Sequence, residues 1–428
     1  MMNDVAYTKY RWFILISLCV VQATAVMALV SPATIIGEIS GTIGIDMGMT
    51  TQITMVAVQA IIGISAFFGG GAVDHFGPYR VWTGCSFIFI IASFLVPVLG
   101  DTLWGMLLIR SMQGIAAGPV MSTIPLVAAQ WFPPQERGIV IGFQGATVPL
   151  GAIISLNFVP FVFRKTGSWQ AALAWMSVFF ILSLIFSLIV SLGPKPPEKD
   201  VTLHPDSSGV NEGDIIKAFR LPATWAALLC GLWFSWDVRI FNDVITNYLA
   251  VAPPVGAGLG PAGAGGVMSG VNAVFIFTAM VSGFMLEKVF RGRLRALVLL
   301  GFLLPSILWF SIKFPAIHSN LLVLSACMWI GAFGIALVSP LITTFFAKNY
   351  PEGIMGKLGG LMIVFNQIGI FIGMAVGSLS LTITGRYDIA IYLVGAGAFM
   401  GFLSAFLLKE PKVFSGEQPS RLPLSRPV

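Results

Sequence analysis

Charge is what this sequence has least of. Asp, Glu, Lys and Arg make up 10% of the 428 residues, against 57% that are hydrophobic, whereas a soluble domain carries about 25% charged residues. That excludes a water-exposed globular fold, and the chain is suited to lipid. Histidine is nearly absent, and His75, His204 and His318 read as loop residues far from one another. The four cysteines, Cys19, Cys85, Cys230 and Cys327, all lie inside apolar runs with no metal or redox spacing, and read as buried thiols. There is no Gly-x-x-x-x-Gly-Lys-Ser/Thr loop to cradle a nucleotide phosphate and no catalytic or metal-ligating constellation. An enzyme, a metal or cofactor site and an ATP-driven pump are therefore not expected.

What is present is a series of apolar runs, each near the ~20 residues a helix needs to cross ~30 Å of hydrocarbon. Twelve are expected, at roughly 12–34, 50–71, 81–99, 103–129, 138–163, 169–192, 222–249, 265–286, 295–312, 320–346, 356–383 and 389–408. The first is too long, and too directly followed by another, for a cleaved signal peptide. Gly193–Arg220 is polar and Pro-rich and reads as a linker, so the expected organisation is a six-helix bundle at 1–192, a cytoplasmic linker at 193–220, a second six-helix bundle at 221–410 and a disordered cytoplasmic tail at 411–428. Eighteen of the 24 Lys and Arg fall on the N-terminal side of the spans, four on the opposite side and two within helices. Positive residues stay inside, which places both termini in the cytoplasm. The net charge of +6 is accordingly a membrane-surface bias and not a nucleic-acid footprint.

Between the second and third runs stands Gly70-Gly71-Ala72-Val73-Asp74-His75-Phe76-Gly77-Pro78-Tyr79-Arg80. An altered copy returns 213 residues later, pairing Gly70 with Gly283, Asp74 with Glu287 and Arg80 with Arg293. The chain reads as internally duplicated. Gly allows a sharp reversal and close helix approach, and an acid beside a basic cluster can form a charge-assisted latch that one conformation makes and another breaks. The first copy resembles the loop between helices 2 and 3 of the major facilitator superfamily, Gly-x-x-x-Asp-Arg/Lys-x-Gly-Arg-Arg/Lys. It keeps Gly70, Asp74, Gly77 and Arg80 and departs at His75, Pro78 and Tyr79.

A longer stretch is similar to carriers of small anions within that superfamily: the anion/cation symporters, the oxalate/formate exchangers and the cyanate-permease group. It comprises Arg110-Ser111-Met112-Gln113-Gly114, then Trp131-Phe132-Pro133-Pro134-Gln135-Glu136-Arg137-Gly138, then Trp169-Gln170-Ala171-Ala172-Leu173. The resemblance implies an all-α membrane protein of twelve transmembrane helices in two six-helix bundles, with helices 1, 4, 7 and 10 lining a central cavity. It adds Glu136 and Arg137 to the latch residues. Gly118-Pro119 stands where the symporters often carry an acid. Gly369, Gly373 and Gly377 repeat every fourth residue and fit close helix packing.

Ionisable residues at membrane depth are costly and are functional candidates. Arg110 reads as either a substrate contact or a snorkelling arginine. Arg239 and Asp243 are i,i+4 and can pair, or Arg239 can bind an anion. Asp237 points about 200° away from Arg239, and both acids are candidates to carry a coupling proton. Gln22, Ser122, Asn242 and Thr343 are neutral candidates for substrate contact, and Pro125 and Pro340 are expected to bend their helices. The expected function is a multi-pass carrier of the plasma (inner) membrane for a small organic anion such as a carboxylate. It uses protons or a counter-substrate, and one chain forms the transport unit. The alternative is a multidrug or neutral-solute exporter of the same fold.

Overall fold

The computed structural model describes residues 9–133, 137–194 and 212–409. These are almost wholly helical, because in hydrocarbon each segment must satisfy its own backbone N–H and C=O groups. The long helices are α1 (Tyr10–Val30), α2 (47–76), α3 (Pro78–Leu99), α4 (103–131), α5 (Arg137–Thr166), α6 (Trp169–Leu192), α7 (222–250), α8 (Gly260–Val289), α9 (Leu294–Ser311), α10 (Leu321–Asn349), α11 (Glu352–Thr384) and α12 (Asp388–Ala405). Among the described residues, ten of these are long and apolar enough to cross a membrane. The other two, α4 and α7, carry Arg110 and the Asp237, Arg239, Asp243 group. The chain is a multi-pass integral membrane protein.

Helix extends further into the polar flanks than the apolar runs indicate. Asp74 and His75 lie on the last turns of α2, so the chain reverses only at Gly77, whose φ of 79° is a conformation open to glycine. Likewise α8 carries Glu287 on a π turn, Met285–Val289, and His318 ends a short helix, Pro315–His318. The linker expected at 193–220 closes with a helix of its own, Glu212–Arg220. Pro340 lies inside an unbroken α10, while α4 pauses at Thr123, just ahead of Pro125. Four helix starts are fixed by side-chain caps at one end of the molecule. Asp46, Thr102, Ser168 and Asn320 accept from the N–H groups of Met49, Gly105, Ala171 and Leu322 at 2.9, 3.1, 3.2 and 3.0 Å, and such caps contribute about 1 kcal/mol each.

Two apolar cores result. One is drawn from residues 14–190 and includes Leu18, Trp82, Phe89 and Phe180; the other is drawn mainly from residues 218–408 and includes Phe302, Trp309 and Tyr387. The second core also takes in Val30, Ala33, Met55, Val56 and Leu156, so the two helix groups share a core toward the capped end. Close backbone contacts explain the fit. A Cβ at Gly265 on α8 would lie 2.0 Å from the Leu156 carbonyl oxygen on α5, and one at Gly48 on α2 would lie 2.3 Å from the Thr382 amide nitrogen on α11. The Asn157 amide donates to the Ser269 hydroxyl at 2.6 Å across the same contact. Toward the other end the same helices part: Phe143 on α5 and Met280 on α8 are exposed, and a Cβ at Gly145 or Gly283 would meet nothing. We refer to these as the closed end and the open end.

At the closed end a cavity of about 320 Å³ lies between Glu38, Thr34 and Gly37 on one side and Ala250, Val251 and Pro261 on the other. Burial pushes the Glu38 carboxyl above the usual carboxylate range, and a hydrogen bond to its own backbone partly offsets this.

A pair of cysteines at Asn157 and Ser269 is expected to cross-link readily, and adding Gly265→Ala to that pair should suppress the cross-link; undiminished cross-linking would contradict the backbone contact. Because Glu38 titrates higher in the folded protein than in an open chain, its cost to stability is present above its folded value and fades as pH falls through it. The gain in thermal midpoint from Glu38→Gln should therefore be largest at neutral pH and shrink on acidification. A gain that does not change with pH would sink this account.

Candidate functional site

The buried charges meet where α1, α2, α4 and α7 converge. Arg110 is 2% exposed on α4. It does not snorkel to the interface. Its Nε donates to the Thr54 carbonyl on α2, its Nη1 to the Ala28 carbonyl at 2.7 Å and to the Gln113 amide oxygen, and its Nη2 to the Leu29 carbonyl at 3.1 Å. Thr54 lies on a π turn, Gln52–Val56, and Ala28 and Leu29 belong to the last turns of α1. Helix ends and π turns leave carbonyls pointing away from their own ladder, which is why backbone oxygens are at hand for a guanidinium.

Opposite it, α7 opens into another π turn, Phe241–Ile245, carrying Asn242 and Asp243. Arg239 Nη2 sits 3.0 Å from Asp243 Oδ2, with the carboxylate side chain 0% and the arginine side chain 17% exposed. Arg110 lies within electrostatic range of both members of this pair. Two guanidiniums thus share one carboxylate, and every hydrogen bond Arg110 makes is to a neutral oxygen. One positive charge is left without a counter-charge in the group.

Neutral polar groups surround the charges. Asn242 donates to the Val238 carbonyl at 2.8 Å, and its Oδ1 accepts from Asn272 on α8 at 3.2 Å. Gln22 on α1 and Asn247 on α7 are buried, and Gln22 Oε1 and both amide atoms of Asn247 have no hydrogen-bond partner among the described residues. Gln113 and Asn272 were not singled out by sequence reasoning. Gln113 stood inside the Arg-x-x-Gln-Gly motif, and Asn272 was signalled only as an amide in an apolar run.

Other candidates lie elsewhere. Asp237 is 0% exposed on another face of α7, its Oδ1 within 2.5 Å of where a Cβ at Gly397 of α12 would sit. By hydrogen-bond geometry neither of its oxygens has a partner among the described residues. Thr343 on α10 is exposed and returns its hydroxyl to the Ser339 carbonyl at 3.1 Å. Trp233 and Trp236 pack edge to face with centroids 5.6 Å apart, and Trp236 donates to the Leu393 carbonyl. Of the latch residues, Arg80 is exposed at the start of α3; Glu287 and Arg293 are both exposed, and no ion pair joins them. Glu136 lies outside the described residues, as do Gly70 and the side chains of Asp74, Ser122 and Arg137, although their helices are described. The anion-carrier motif also supplies ties within its helix group. Trp131 donates to the Tyr79 hydroxyl, and Trp169 to the Thr42 hydroxyl at 2.8 Å.

Breaking one member of a buried ion pair leaves the other unpaired and costs about 3–5 kcal/mol, whereas removing both costs less. Arg239→Gln and Asp243→Asn should each lower the thermal midpoint more than the double variant does. Additive losses would show that the pair is not the interaction that matters.

The model of the Major Facilitator Superfamily matches residues 15–374. Among curated proteins, probable anion transporter 4 (chloroplastic) of Arabidopsis thaliana is 30% identical over 201 residues, which is 43% of this chain and 38% of that protein. The probable sulfoacetate transporter SauU of Cupriavidus necator is 23% identical over 218 residues, 48% of this chain and 50% of that protein. The matched stretches thus span half or less of these relatives. A solved structure of a bacterial homologue of the human lysosomal transporter Spinster, inward-facing and occupied, superposes with a TM-score of 0.71 at 14% identity, covering 94% of this chain and 97% of that one. With the family match spanning most of its length and the same fold throughout, the chain belongs to the Major Facilitator Superfamily.

Proposed function

We propose that the chain is a secondary carrier of a small organic anion, a carboxylate or sulfonate, working by alternating access. The observation that carries this reading is the uncompensated positive charge of Arg110, Arg239 and Asp243 at the junction of the two helix groups. A monoanion entering there pairs with it, and the site is then neutral and free to reorient in a low-dielectric interior. The names of the relatives, an anion transporter and a sulfoacetate transporter, support the same substrate class.

The organisation that serves this is twelve spans in two six-helix bundles, with the 193–220 linker and both termini on the cytoplasmic side of the plasma (inner) membrane and one chain forming the transport unit. The open end is then the cytoplasmic one, since the linker-bearing side holds the excess of Lys and Arg. On this reading the conformation is inward-facing and alternates by rocking one bundle against the other. Arg110 acts as a fixed anchor of α1, α2 and α4 and supplies field, while Arg239, partly exposed, contacts the anion. A dianion that draws Arg239 away leaves Asp243 without its partner, and the proton Asp243 then takes up keeps the loaded site neutral and couples the two fluxes. Gln22, Asn242 and Asn247 offer neutral hydrogen bonds to the cargo, and the acid-and-base latches at the open end form when that end closes.

A cleft of about 450 Å³ between α1 and α5, lined by Trp12, Cys19, Phe143 and Leu150 among others, is almost entirely apolar. It favours the exporter of lipophilic solutes. Proteoliposome flux separates the two readings. Labelled carboxylates or sulfonates should accumulate with an inward proton gradient, and Arg239→Gln should slow them about tenfold or more, the worth of one charge-assisted hydrogen bond of about 1.5–3 kcal/mol. Transport confined to lipophilic cations or neutral solutes, unaffected by Arg239→Gln, would overturn the anion reading.

A further inference from the structure

A second basic site lies at the open end, away from the central charges. A cavity of about 570 Å³ is formed where α9 begins and where α10 and α12 finish. Arg293, Arg295, Lys348 and Lys409 line it together with Asn349 and Phe345, and among the described residues no acidic residue does. We propose that this cavity binds a phosphate-bearing anion, the headgroup of an acidic membrane lipid.

Three features of the cavity point to a phosphate. Like charges gathered round one space repel each other, and the repulsion grows in the lower dielectric of a protein cleft, so an anion among them stabilises the arrangement. Arg295 is held in place, its guanidinium carbon 5.6 Å from the centre of the Phe406 ring, and its buried Nε has no hydrogen-bond partner among the described residues. That N–H is a donor in want of an acceptor, and phosphate oxygens suit a guanidinium. The turn that delivers Arg293 is shaped for it: Arg291 and Gly292 take φ values of 50° and 77°, and the Gly292 N–H donates to the Leu286 carbonyl at 2.7 Å.

The lipid is favoured over free phosphate by position. The cavity lies at helix ends, the depth of headgroup phosphates, and basic pockets there attract acidic lipids. Leu407, just past the end of α12, and Leu403 and Phe399 on it are exposed and spaced four apart, a path along which an acyl chain can lie.

The test uses the full chain purified in neutral detergent, with thermal unfolding read against three titrants: short-chain phosphatidylglycerol, short-chain phosphatidylcholine and inorganic phosphate. Phosphatidylglycerol should raise the midpoint and phosphatidylcholine should not. Arg293→Gln and Lys409→Gln should each weaken the half-saturating concentration about fivefold, as expected for one surface cation, while Arg220→Gln, on an exposed residue outside the cavity, should leave it unchanged. An equal rise with inorganic phosphate, lost in the same variants, keeps the phosphate site and makes its ligand a soluble ion. A rise that survives both variants, or that is lost instead with Arg239→Gln, removes the proposal, as does no rise with either anion.

Discussion

A guanidinium in the middle of a helical bundle must have its N–H groups accepted, and the solution found for Arg110 determines much of what surrounds it. Its acceptors are backbone carbonyls of α1 and α2 and one amide of α4, so three helices are tied at a single point by a side chain that has no carboxylate of its own. Those carbonyls are within its reach because α1 is finishing there, with Pro32 offering no N–H to Ala28, and because α2 is wound as a π turn. The same device appears across the interface, where another π turn holds Asp243. A departure from regular helix on each side therefore serves the charges, and the charges in turn hold those departures in place.

The helices were legible because an apolar run long enough to cross a membrane is a coarse signal, met by ten of the described helices in a chain poor in charge. Their ends were less so. Asp74, His75 and Glu287 are polar enough to suggest loop, but lipid-facing helices continue into the interface, where their backbone bonds remain internal. The Arg239 and Asp243 pair was legible from i,i+4 spacing alone. The partners of Arg110 were not, since carbonyl oxygens carry no mark in the sequence, and neither were the π turns that present them. The fourfold spacing of glycines in α11 marks packing sites, and Gly369 and Gly373 do lie against Leu232 and Trp236 of α7. Asp237 shows the limit of face arithmetic: the angle separated it from Arg239, but only the fold shows that α12, with glycine at position 397, is what it faces.

The two ends of the molecule are built on different principles. At one, neutral contacts between small residues and backbone join the helix groups. At the other, cations crowd around a cavity and the acids and bases of the second repeat stand apart, with Glu287 and Arg293 exposed and unjoined. A carrier that alternates between two closed forms can thus have one closure that responds to charge and another that does not.

The neutral closure has its own thermodynamic character. Gly48 against Thr382, Gly265 against Leu156 and the shared apolar core around Val30, Met55 and Val56 contain no buried ion pair. Opening that end exposes apolar surface to water, and exposed apolar surface raises heat capacity by about 0.45 cal/mol/K per Å². In the alternation proposed above, the balance between the two forms would therefore be curved in temperature, and the resting state would drift with warming even when pH, salt and substrate are held constant.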